Sequence, residues 1–385
     1  MAKHIKIKKG LDIPLAGNAE GMPQPDNSTK EFGVVPDDYP GHVWKARVKA
    51  GDRVKVGSKL LTDKATDSIV IASPIAGTVK EIIRGERRKI LAVTVERAEG
   101  SSAFEHETYD LKHEAEKIKE TLLSSGLWAL LRQRPFDTVP SPSETPRDIF
   151  ITAFDSSPLA PELIGEKDSE ALETGIRILS MLTHGKVYLG IPAGSRLNSD
   201  LAETVMYEGP HPAGNVGVQI AAIRPVNKGE TVWALDARTA VRIGRLYLDG
   251  KPDWTAEVAI TGPAAGSPCK VTTIAGAKLE GLLTGANKPG KEIRVISGNV
   301  LTGHAEDAEK GYLRYPWRQI TLIEEGKEAD EFMGWASLNP NKYSVKRTFP
   351  AFLRPGKLFS FDSGIRGGHS EMIRREEFYK LLPFD

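Results

Sequence analysis

Residues 48–82, VKAGDRVKVGSKLLTDKATDSIVIASPIAGTVKEI, constrain the fold of this chain more than any other stretch. The dipeptides Gly51-Asp52 and Gly57-Ser58 are turn signals that interrupt short runs rich in valine and isoleucine. A second set of turn residues, at 73–77, restarts the pattern before the last run begins. The stretch therefore predicts several short strands that fold back on one another.

The order of these turns resembles the barrel-sandwich fold of lipoyl and biotinyl carrier domains. Lipoyl domains carry their cofactor on a lysine at a DKA tip, and Lys64 occupies such a tip here. Two interpretations stay open: a swinging-arm carrier, or the same scaffold with an ordinary exposed lysine. Lys64 lies farther from Pro74 than the carrier pattern requires, so we expect it to be unmodified.

Composition excludes several classes of protein. The chain has 385 residues, enough for roughly two to four domains. Its 52 basic and 51 acidic residues leave a charge of +1, which gives no basic excess for nucleic acid. A single cysteine, Cys269, excludes an internal disulfide framework and a cluster held by several thiolates of this chain. The single cysteine therefore predicts a reducing, cytoplasmic setting. The amino terminus has no apolar core of signal-peptide length and no run approaches membrane-spanning length, so we expect any work at a membrane to be done through partners.

Local patterns divide the chain further. Charge alternates with isoleucine at residues 4–8, which predicts a half-buried strand that closes the sandwich. The aromatic, proline-bearing run at 30–45 predicts a loop, and residues 90–95 predict the last strand of this unit. From Tyr109, apolar residues at helical spacing predict a helix that ends at Gly126.

The remaining elements predict two more units. Residues 148–154 and 187–191 are typical of buried strands, and an apolar helix face at 171–182 separates them. Such a strand-helix-strand unit predicts a parallel sheet. A strand at 232–235 with a helix after it extends this pattern, and short strands return beyond Trp254, with a brief helix near 278–283.

The sequence lacks the motifs that several kinds of binding and catalysis require. After the strand that ends at Phe154, the sequence Asp155-Ser156-Ser157-Pro158 replaces the glycine-rich turn of a dinucleotide fold. No P-loop is present, and the eight histidines are scattered without a zinc-type pair. Ser195 lacks the GxSxG elbow of a hydrolase. Nucleotide binding, a metal site and hydrolysis are therefore not expected.

Three stretches are unusual for simple packing. The loop at 209–215 opens a helix whose free amides suit an anionic or carbonyl group, or else it shapes a domain interface through His211, Gly214 and Asn215. Residues 128–136 place two arginines beside apolar side chains, which suits a flat carbonyl-bearing ring or an interdomain brace. Residues 364–368 form a flexible basic loop or a plain surface loop.

Fragments along the whole chain together resemble one family. They are IKIKKGLDIPLAG (5–17), VKAGDRVKVG (48–57), SPIAGTV (73–79), the arginine pairs at 84–88, SGLWALLRQRPFDTVP (125–140), EGPHPAG (208–214) and EIRVISGNVLTG (292–303). They are similar to the A subunit of the bacterial sodium-translocating NADH:quinone oxidoreductase. That family is related to the flavin-binding subunit of Complex I but lacks its flavin loop and cluster cysteines.

The resemblance implies an α+β multidomain fold. It predicts a barrel-sandwich (lipoyl/biotinyl-like) domain at 1–103, a Rossmann-like α/β domain at 104–253 and a small β-grasp (SLBB-type) domain at 254–330. Residues 331–385 would begin a carboxy-terminal region. Because the family's carboxy-terminal CPGKYEYG motif is absent, we expect a fragment or a short form.

The resemblance also implies a function: a peripheral subunit on the cytoplasmic face of the bacterial inner membrane, with no catalytic residues, metal or cofactor of its own. It would contribute to ubiquinone binding or reduction in a complex that couples electron transfer from NADH to sodium export. FMN, FAD, riboflavin and iron-sulfur would lie on partner subunits, and the chief partner would be an integral membrane subunit.

Two segments, matching residues 35–42 and 131–138, are associated with ubiquinone in the family. They supply the candidate quinone-binding residues Val35, Tyr39, Leu131, Arg132, Arg134 and Phe136. Of the first segment, this chain keeps only the acidic pair and the tyrosine. The alternative function is a lipoyl- or biotinyl-type carrier or a structural scaffold module.

Overall fold

The computed structural model describes residues 3–100, 105–286, 288, 290–326, 339–343 and 350–364. Most of the predicted carboxy-terminal region at 331–385 lies outside the described residues, and so do residues 365–368 of the predicted basic loop. Within the described part, strands form two six-stranded sheets, one four-stranded sheet and one three-stranded sheet.

The amino-terminal part of the chain consists of short strands. They are β1 (Lys3–Lys6), β2 (Gln24–Pro25), β3 (Glu31–Val34), β4 (Trp44–Ala46), β5 (Arg53–Val54), β6 (Lys59–Asp63), β7 (Val70–Ala72), β8 (Gly77–Arg84) and β9 (Ile90–Arg97). Strands β3-β9-β8-β5 form one sheet and β4-β6-β7 form another. Leu60, Val79 and Val93 are almost completely buried in the core of this unit. Gly51 and Gly57 have φ values of 91° and 89°, a conformation that favours glycine and explains the two turn signals.

The predicted loop at 30–45 was wrong in part, because it contains strand β3. Phe32 and Val34 of this strand are buried, and its register places Phe32 opposite Val95 of β9. Gly33 lies between Phe32 and Val34, and a Cβ at Gly33 would collide with the Tyr312 ring. A glycine inside a four-residue run weakens the strand signal, although close packing requires it.

The middle of the chain alternates strands and helices. They are α1 (Ala115–Ser125), β10 (Arg132–Arg134), β11 (Ile149–Thr152), α2 (Ser169–Ser180), β12 (Val187–Pro192), β13 (Glu203–Glu208), α3 (Val216–Ile223), β14 (Val232–Asp236) and α4 (Ala237–Asp249). The sheet order is β1-β13-β12-β11-β14-β10, and all pairs are parallel except β14 with β10. The predicted parallel sheet is confirmed, and α1 ends at Gly126 in the left-handed conformation, as predicted. The predicted start near Tyr109 was wrong, because the helix begins at Ala115.

Two predictions for this region were wrong. Strand β1 does not close the sandwich, because it pairs in parallel with β13 at the edge of the α/β sheet. Residues 127–136, which follow the signal for the end of α1, also predict a linker. Instead, Trp128 and Leu131 are fully buried, and β10 pairs with β14. Local pattern cannot identify the sheet that a short strand joins, since the choice depends on distant partners.

Helices α2 and α4 pack at backbone distance against each other. Gly175 of α2 faces the carbonyl of Ala240, and Gly244 of α4 faces the carbonyl of Ala171, so that a Cβ at either glycine would collide with backbone. These helices cover the sheet on the side of Ile151 and Leu235, which are buried.

The third unit is a mixed sheet with one short helix. Its elements are β15 (Thr255–Thr261), β16 (Cys269–Ile274), α5 (Leu279–Leu282), β17 (Ile293–Ser297), β18 (His304–Glu306) and β19 (Gln319–Glu324). The order is β18-β17-β19-β15-β16-β2, with β15 and β19 parallel at the centre. The short strands predicted beyond Trp254 and the brief helix predicted near 278–283 are confirmed as β15, β16, β17 and α5, whereas β18 and β19 were not predicted.

The amino-terminal segment connects the α/β sheet to the third unit. The amide of Leu11 donates to the carbonyl of His211 over 2.8 Å, and the amide of Gly262 donates to the carbonyl of Gly17 over 2.8 Å. Strand β2 then joins the third sheet beside β16. The first 25 residues therefore bind two units before the sandwich begins at β3.

Candidate functional site

A cavity of about 390 Å³ opens at the carboxyl ends of β11 and β14. Strands β12 and β13 continue the sheet on one side of β11, and β14 lies on the other, so the strand order reverses at this point. Open α/β sheets bind ligands at such a switch point. The lining residues are Arg132, Arg134, Thr152, Phe154, Asp155, Gly214, Asn215, Val216, Gly217, Val218, Ala234, Leu235, Asp236, Tyr315, Pro316 and Arg318.

The cavity brings together two of the three stretches that the sequence singled out. Arg132 and Arg134 come from the edge strand β10, and Gly214 and Asn215 come from the loop that opens α3. The sequence interpretation did not connect them. It also missed Tyr315 and Arg318, which enter from the third unit. The aromatic and basic run YLRYPWR at 312–318 was the available signal for these two residues.

Arg132 uses most of its hydrogen-bonding capacity on backbone. Its Nη1 donates to the carbonyls of Ala129 and Leu131 over 2.9 Å each, and its Nη2 donates to the carbonyl of Asp38 over 2.7 Å. The guanidinium carbon lies 4.9 Å from the centroid of the Tyr315 ring. Because Arg132 thereby joins the sandwich, the α/β sheet and the third unit, the geometry suits a brace.

Arg134 makes fewer contacts within the protein than Arg132 does. Its Nη2 lies 3.3 Å from Oδ1 of Asp137, and its buried Nε has no hydrogen-bond partner among the described residues. The turn that carries it is closed by a 2.7 Å hydrogen bond from the Gln133 amide to the Thr138 carbonyl. Phe136, at the tip of this turn, is 73% exposed and does not line the cavity.

The start of α3 forms another wall of the cavity. Asn215 is the residue before the helix, and its side chain makes no capping hydrogen bond. Val216 and Gly217 line the cavity in the first turn, where helical N–H groups have no intrahelical partner. The helix dipole adds partial positive charge at this end. This wall therefore suits an oxygen acceptor.

His211 anchors the same loop from outside the cavity. Its Nδ1 lies 3.1 Å from Oγ of Ser156, and its amide donates to Oδ1 of Asp12 over 2.9 Å. Burial lowers the pKa of the His211 imidazole. The amide of Gly214 also donates to Oγ of Ser156, over 2.8 Å. His211 thus holds the loop between β11 and the amino-terminal segment.

Three other charged residues that line the cavity are paired with one another. Nη2 of Arg318 lies 2.8 Å from Oδ2 of Asp155, and its Nη1 lies 3.8 Å from Oδ2 of Asp236. Oδ1 of Asp236 also accepts the amide hydrogen bond of Thr239 at the start of α4. Both aspartates stand at or just after strand ends. Arg318 therefore fixes the mouth of the cavity and leaves Arg134 as its more available cation.

The other quinone-binding candidates lie apart from the cavity. Leu131 is fully buried, and Tyr39 is buried with its carbonyl accepting a 3.1 Å hydrogen bond from Nε1 of Trp44. Burial raises the pKa of the Tyr39 hydroxyl. Val35 is half-buried, and with Tyr39 it lines a space of only about 10 Å³, comparable to one water molecule. These three side chains support the site rather than face it.

The two segments that supply the candidates, 35–42 and 131–138, lie against each other. With the residue that follows each of them, they are called the 35–43 loop and the 131–139 segment. The amide of Val139 donates to the carbonyl of Pro40 over 2.9 Å, next to the bond from Arg132 to Asp38. Gly41 packs so closely on Thr138 that a Cβ would lie 2.6 Å from its side chain. The loop and the segment therefore form one continuous packed surface.

The tip of the sandwich also contacts the 35–43 loop. Lys64 lies in the turn between β6 and β7 with an exposed side chain, and its amide donates to the carbonyl of Val43 over 2.8 Å.

Among the described residues, no three histidine, cysteine, aspartate or glutamate side chains are grouped to hold a metal ion. In the same part of the chain, no helix has the length and apolar character needed to cross a bilayer.

Family models cover most of the chain. The NqrA N-terminal barrel-sandwich hybrid domain matches residues 5–98, the NqrA second alpha/beta domain matches 113–252, and the NQRA C-terminal domain matches 257–307. A solved structure of an NAD+-reducing [NiFe]-hydrogenase in the air-oxidized state shares 12% identity at a TM-score of 0.34, over 59% of this chain and 49% of that chain. That likeness supports no conclusion about fold or function.

Curated relatives match almost the full chain. The A subunit of the Na(+)-translocating NADH-quinone reductase of Yersinia pseudotuberculosis is 36% identical over 99% of this chain and 87% of its own length. The proteins of the same name from Pasteurella multocida and Neisseria gonorrhoeae are 36% and 35% identical over the same share of this chain, and over 86% and 87% of their own lengths. The chain therefore belongs to the NqrA family, the A subunits of Na(+)-translocating NADH-quinone reductases.

Proposed function

We propose that this chain helps to bind ubiquinone as a peripheral subunit of a sodium-translocating NADH:quinone reductase. The observation that carries the proposal is the cavity at the ends of β11 and β14, which Arg134 and the first turn of α3 both line. A quinone presents carbonyl acceptors at opposite ends of a flat ring. The two walls offer hydrogen-bond donors, and Tyr315 offers an aromatic surface.

The roles of the individual residues differ in this proposal. Arg134 donates to one carbonyl through the N–H groups that the protein leaves unused, and the amides of Val216 and Gly217 face the other. Arg132 holds Tyr315 in place rather than contacting the quinone. Phe136, exposed beside the cavity, would cover the isoprenoid tail or an apolar surface of a partner.

The redox groups belong to partner subunits in this proposal: FMN, FAD, riboflavin and iron-sulfur are held elsewhere in the complex, and this chain docks on an integral membrane subunit from the cytoplasmic face. Support comes from the turn after β11, which lacks glycines, and from the single Cys269. Visible absorbance and iron content of the purified chain test this part. Flavin absorbance that survives denaturation, or stoichiometric iron, would contradict it.

The quinone part is tested with a photoreactive ubiquinone analogue on the assembled complex. We expect labelling within the 131–139 segment or the start of α3, and about ten- to hundredfold weaker binding in Arg134→Ala, because a charged donor is lost. Arg196→Ala is the matched control, since this arginine is 90% exposed and outside the cavity. Wild-type binding by Arg134→Ala, with all label on another subunit, would place the quinone site on a partner.

A further inference from the structure

His42 lies between two hydrogen-bond acceptors. Its Nε2 is 3.0 Å from the carbonyl oxygen of Val139, and its Nδ1 is 3.3 Å from Oδ1 of Asp63. The imidazole is 16% exposed, the Asp63 side chain is 3% exposed, and the Trp44 ring centroid lies 5.8 Å from that of His42. One ring therefore contacts the sandwich tip, the 131–139 segment and β4.

This arrangement favours a positive charge on the ring. A neutral imidazole with its proton on Nε2 still donates to the Val139 carbonyl, but its uncharged ring then lies 3.3 Å from the buried Asp63 carboxylate. The imidazolium keeps the bond to Val139 and adds a charge attraction to Asp63. Burial alone would raise the pKa of the Asp63 carboxyl, but hydrogen bonds from Thr66 and Ala65 and the charge of His42 outweigh it and lower that pKa. Asp63 is therefore an anion in the pH range in which histidine side chains titrate.

We propose that His42 is a positioning residue that latches the 35–43 loop to the 131–139 segment when its ring carries both protons. The groups that face it are the Asp63 carboxylate from the tip, the Val139 carbonyl from the segment, and the neutral Trp44 ring. The nearby bonds from Val139 to Pro40 and from Arg132 to Asp38 use backbone carbonyls, which do not titrate.

The latch acts on the turn that carries Arg134. Gly41, next to His42, packs on Thr138, and the Thr138 carbonyl closes that turn through its bond with Gln133. Loss of a ring proton removes one of the two attractions, so the outer end of the loop loosens and the turn loses its support. If the proposed function holds, proton uptake at His42 sets the order of the quinone cavity.

The test follows ring protonation and local opening in the same full-length protein. Nitrogen-15 spectra of the histidine rings, assigned with His42→Gln, report the protons on Nδ1 and Nε2 between about pH 5 and about pH 8. Amide hydrogen exchange, corrected for its intrinsic pH dependence, reports protection of 35–43 and 131–139. We expect both nitrogens to be protonated on the acid side, and protection to fall about three- to tenfold as one proton is lost.

Variants separate the latch from general packing. Asp63→Asn should weaken the pH dependence, His42→Gln should abolish it, and His184→Gln, at an exposed site, should leave it unchanged. A ring that keeps one bare nitrogen throughout, or protection that is equal on both sides of the titration, would overturn the proposal. The spectra of the wild type decide the first point even where a variant does not fold. Neither readout uses quinone, so this proposal and the proposed function fail independently.

Discussion

Nε of Arg314 donates a hydrogen bond of 2.7 Å to Oδ1 of Asp38, across the junction between the sandwich and the third unit. Both side chains are buried, at 12% and 5% exposure, and Arg314 also binds Glu306 over 2.8 Å. The amide of Tyr315 donates to the other oxygen of Asp38 over 3.0 Å. Since the Asp38 carbonyl also accepts from Arg132, one residue of the 35–43 loop contacts all three units.

Asp38→Ala should be strongly destabilising. Removal of the Asp38 carboxylate leaves Arg314 with Glu306 as its charged partner and leaves the Tyr315 amide without its acceptor, which costs about 1–3 kcal/mol. Urea unfolding measures the change, and Asp37→Ala is the matched control, because the Asp37 carboxylate is 51% exposed and pairs with Lys89 at the surface. The control should lose less than about 1 kcal/mol. Equal losses of stability in the two variants would show that the buried pair of Asp38 and Arg314 does not hold the sandwich and the third unit together.

Replacement of each of the two arginines of β10 should change the stability of the protein by a different amount. Arg132→Ala removes three hydrogen bonds to carbonyls and the contact with Tyr315, so we expect a loss of stability of about 1.5–3 kcal/mol. Arg134→Ala should change stability by no more than about 0.5 kcal/mol, since its partner Asp137 is largely exposed. Thermal unfolding of both variants decides the point. Arg132→Lys, which lacks the planar fork, should recover only part of the loss.

Stability should fall in acid through Glu31. Burial alone would raise the pKa of this carboxyl, but hydrogen bonds from Lys80 and Tyr312 and the charge of Lys278 outweigh it and lower the pKa below its ordinary 4.5. A lowered pKa in the folded state contributes stability that is present above pH 4.5 and is lost as the pH falls through the folded value.

The measurement for Glu31 is the urea midpoint at about pH 7 and about pH 4, in wild type and Glu31→Gln. We expect the variant to be less stable at the higher pH and to lose less on acidification. Glu116→Gln, at a site that is 82% exposed, should retain the acid dependence of the wild type. An unchanged pH dependence in Glu31→Gln would disprove the assignment.

Gly244→Ala should be destabilising although alanine favours helices. The Cβ would collide with the carbonyl of Ala171 in α2, and we expect a loss of about 1–3 kcal/mol from the forced separation of the helices. Gly217→Ala in α3 is the matched control, because its Cβ meets no atom within 4 Å. There, helix propensity alone predicts a gain of up to about 1 kcal/mol. Thermal unfolding that shows a gain in both variants would contradict the close packing.

Elements whose signals are local could be predicted from the sequence. Gly51 and Gly57 mark the turns of the sandwich because their positive φ values favour glycine. Gly126 ends α1 for the same reason. The buried runs that became β11 and β12, with an apolar helix face between them, were enough to predict a parallel sheet. The Arg132 and Gly214 stretches were also recognised as unusual, since their residue types are uncommon in simple packing.

How these elements pack against one another became visible in the tertiary structure. It assigned β1 to the α/β sheet, buried residues 128–131, and brought Arg134, the start of α3 and Tyr315 around one cavity. It also paired Asp38 with Arg314, which lie 276 positions apart in the chain. The physical reason is that burial, charge pairing and strand partnership depend on contacts between distant segments, whereas turn and periodicity signals depend only on neighbours along the chain.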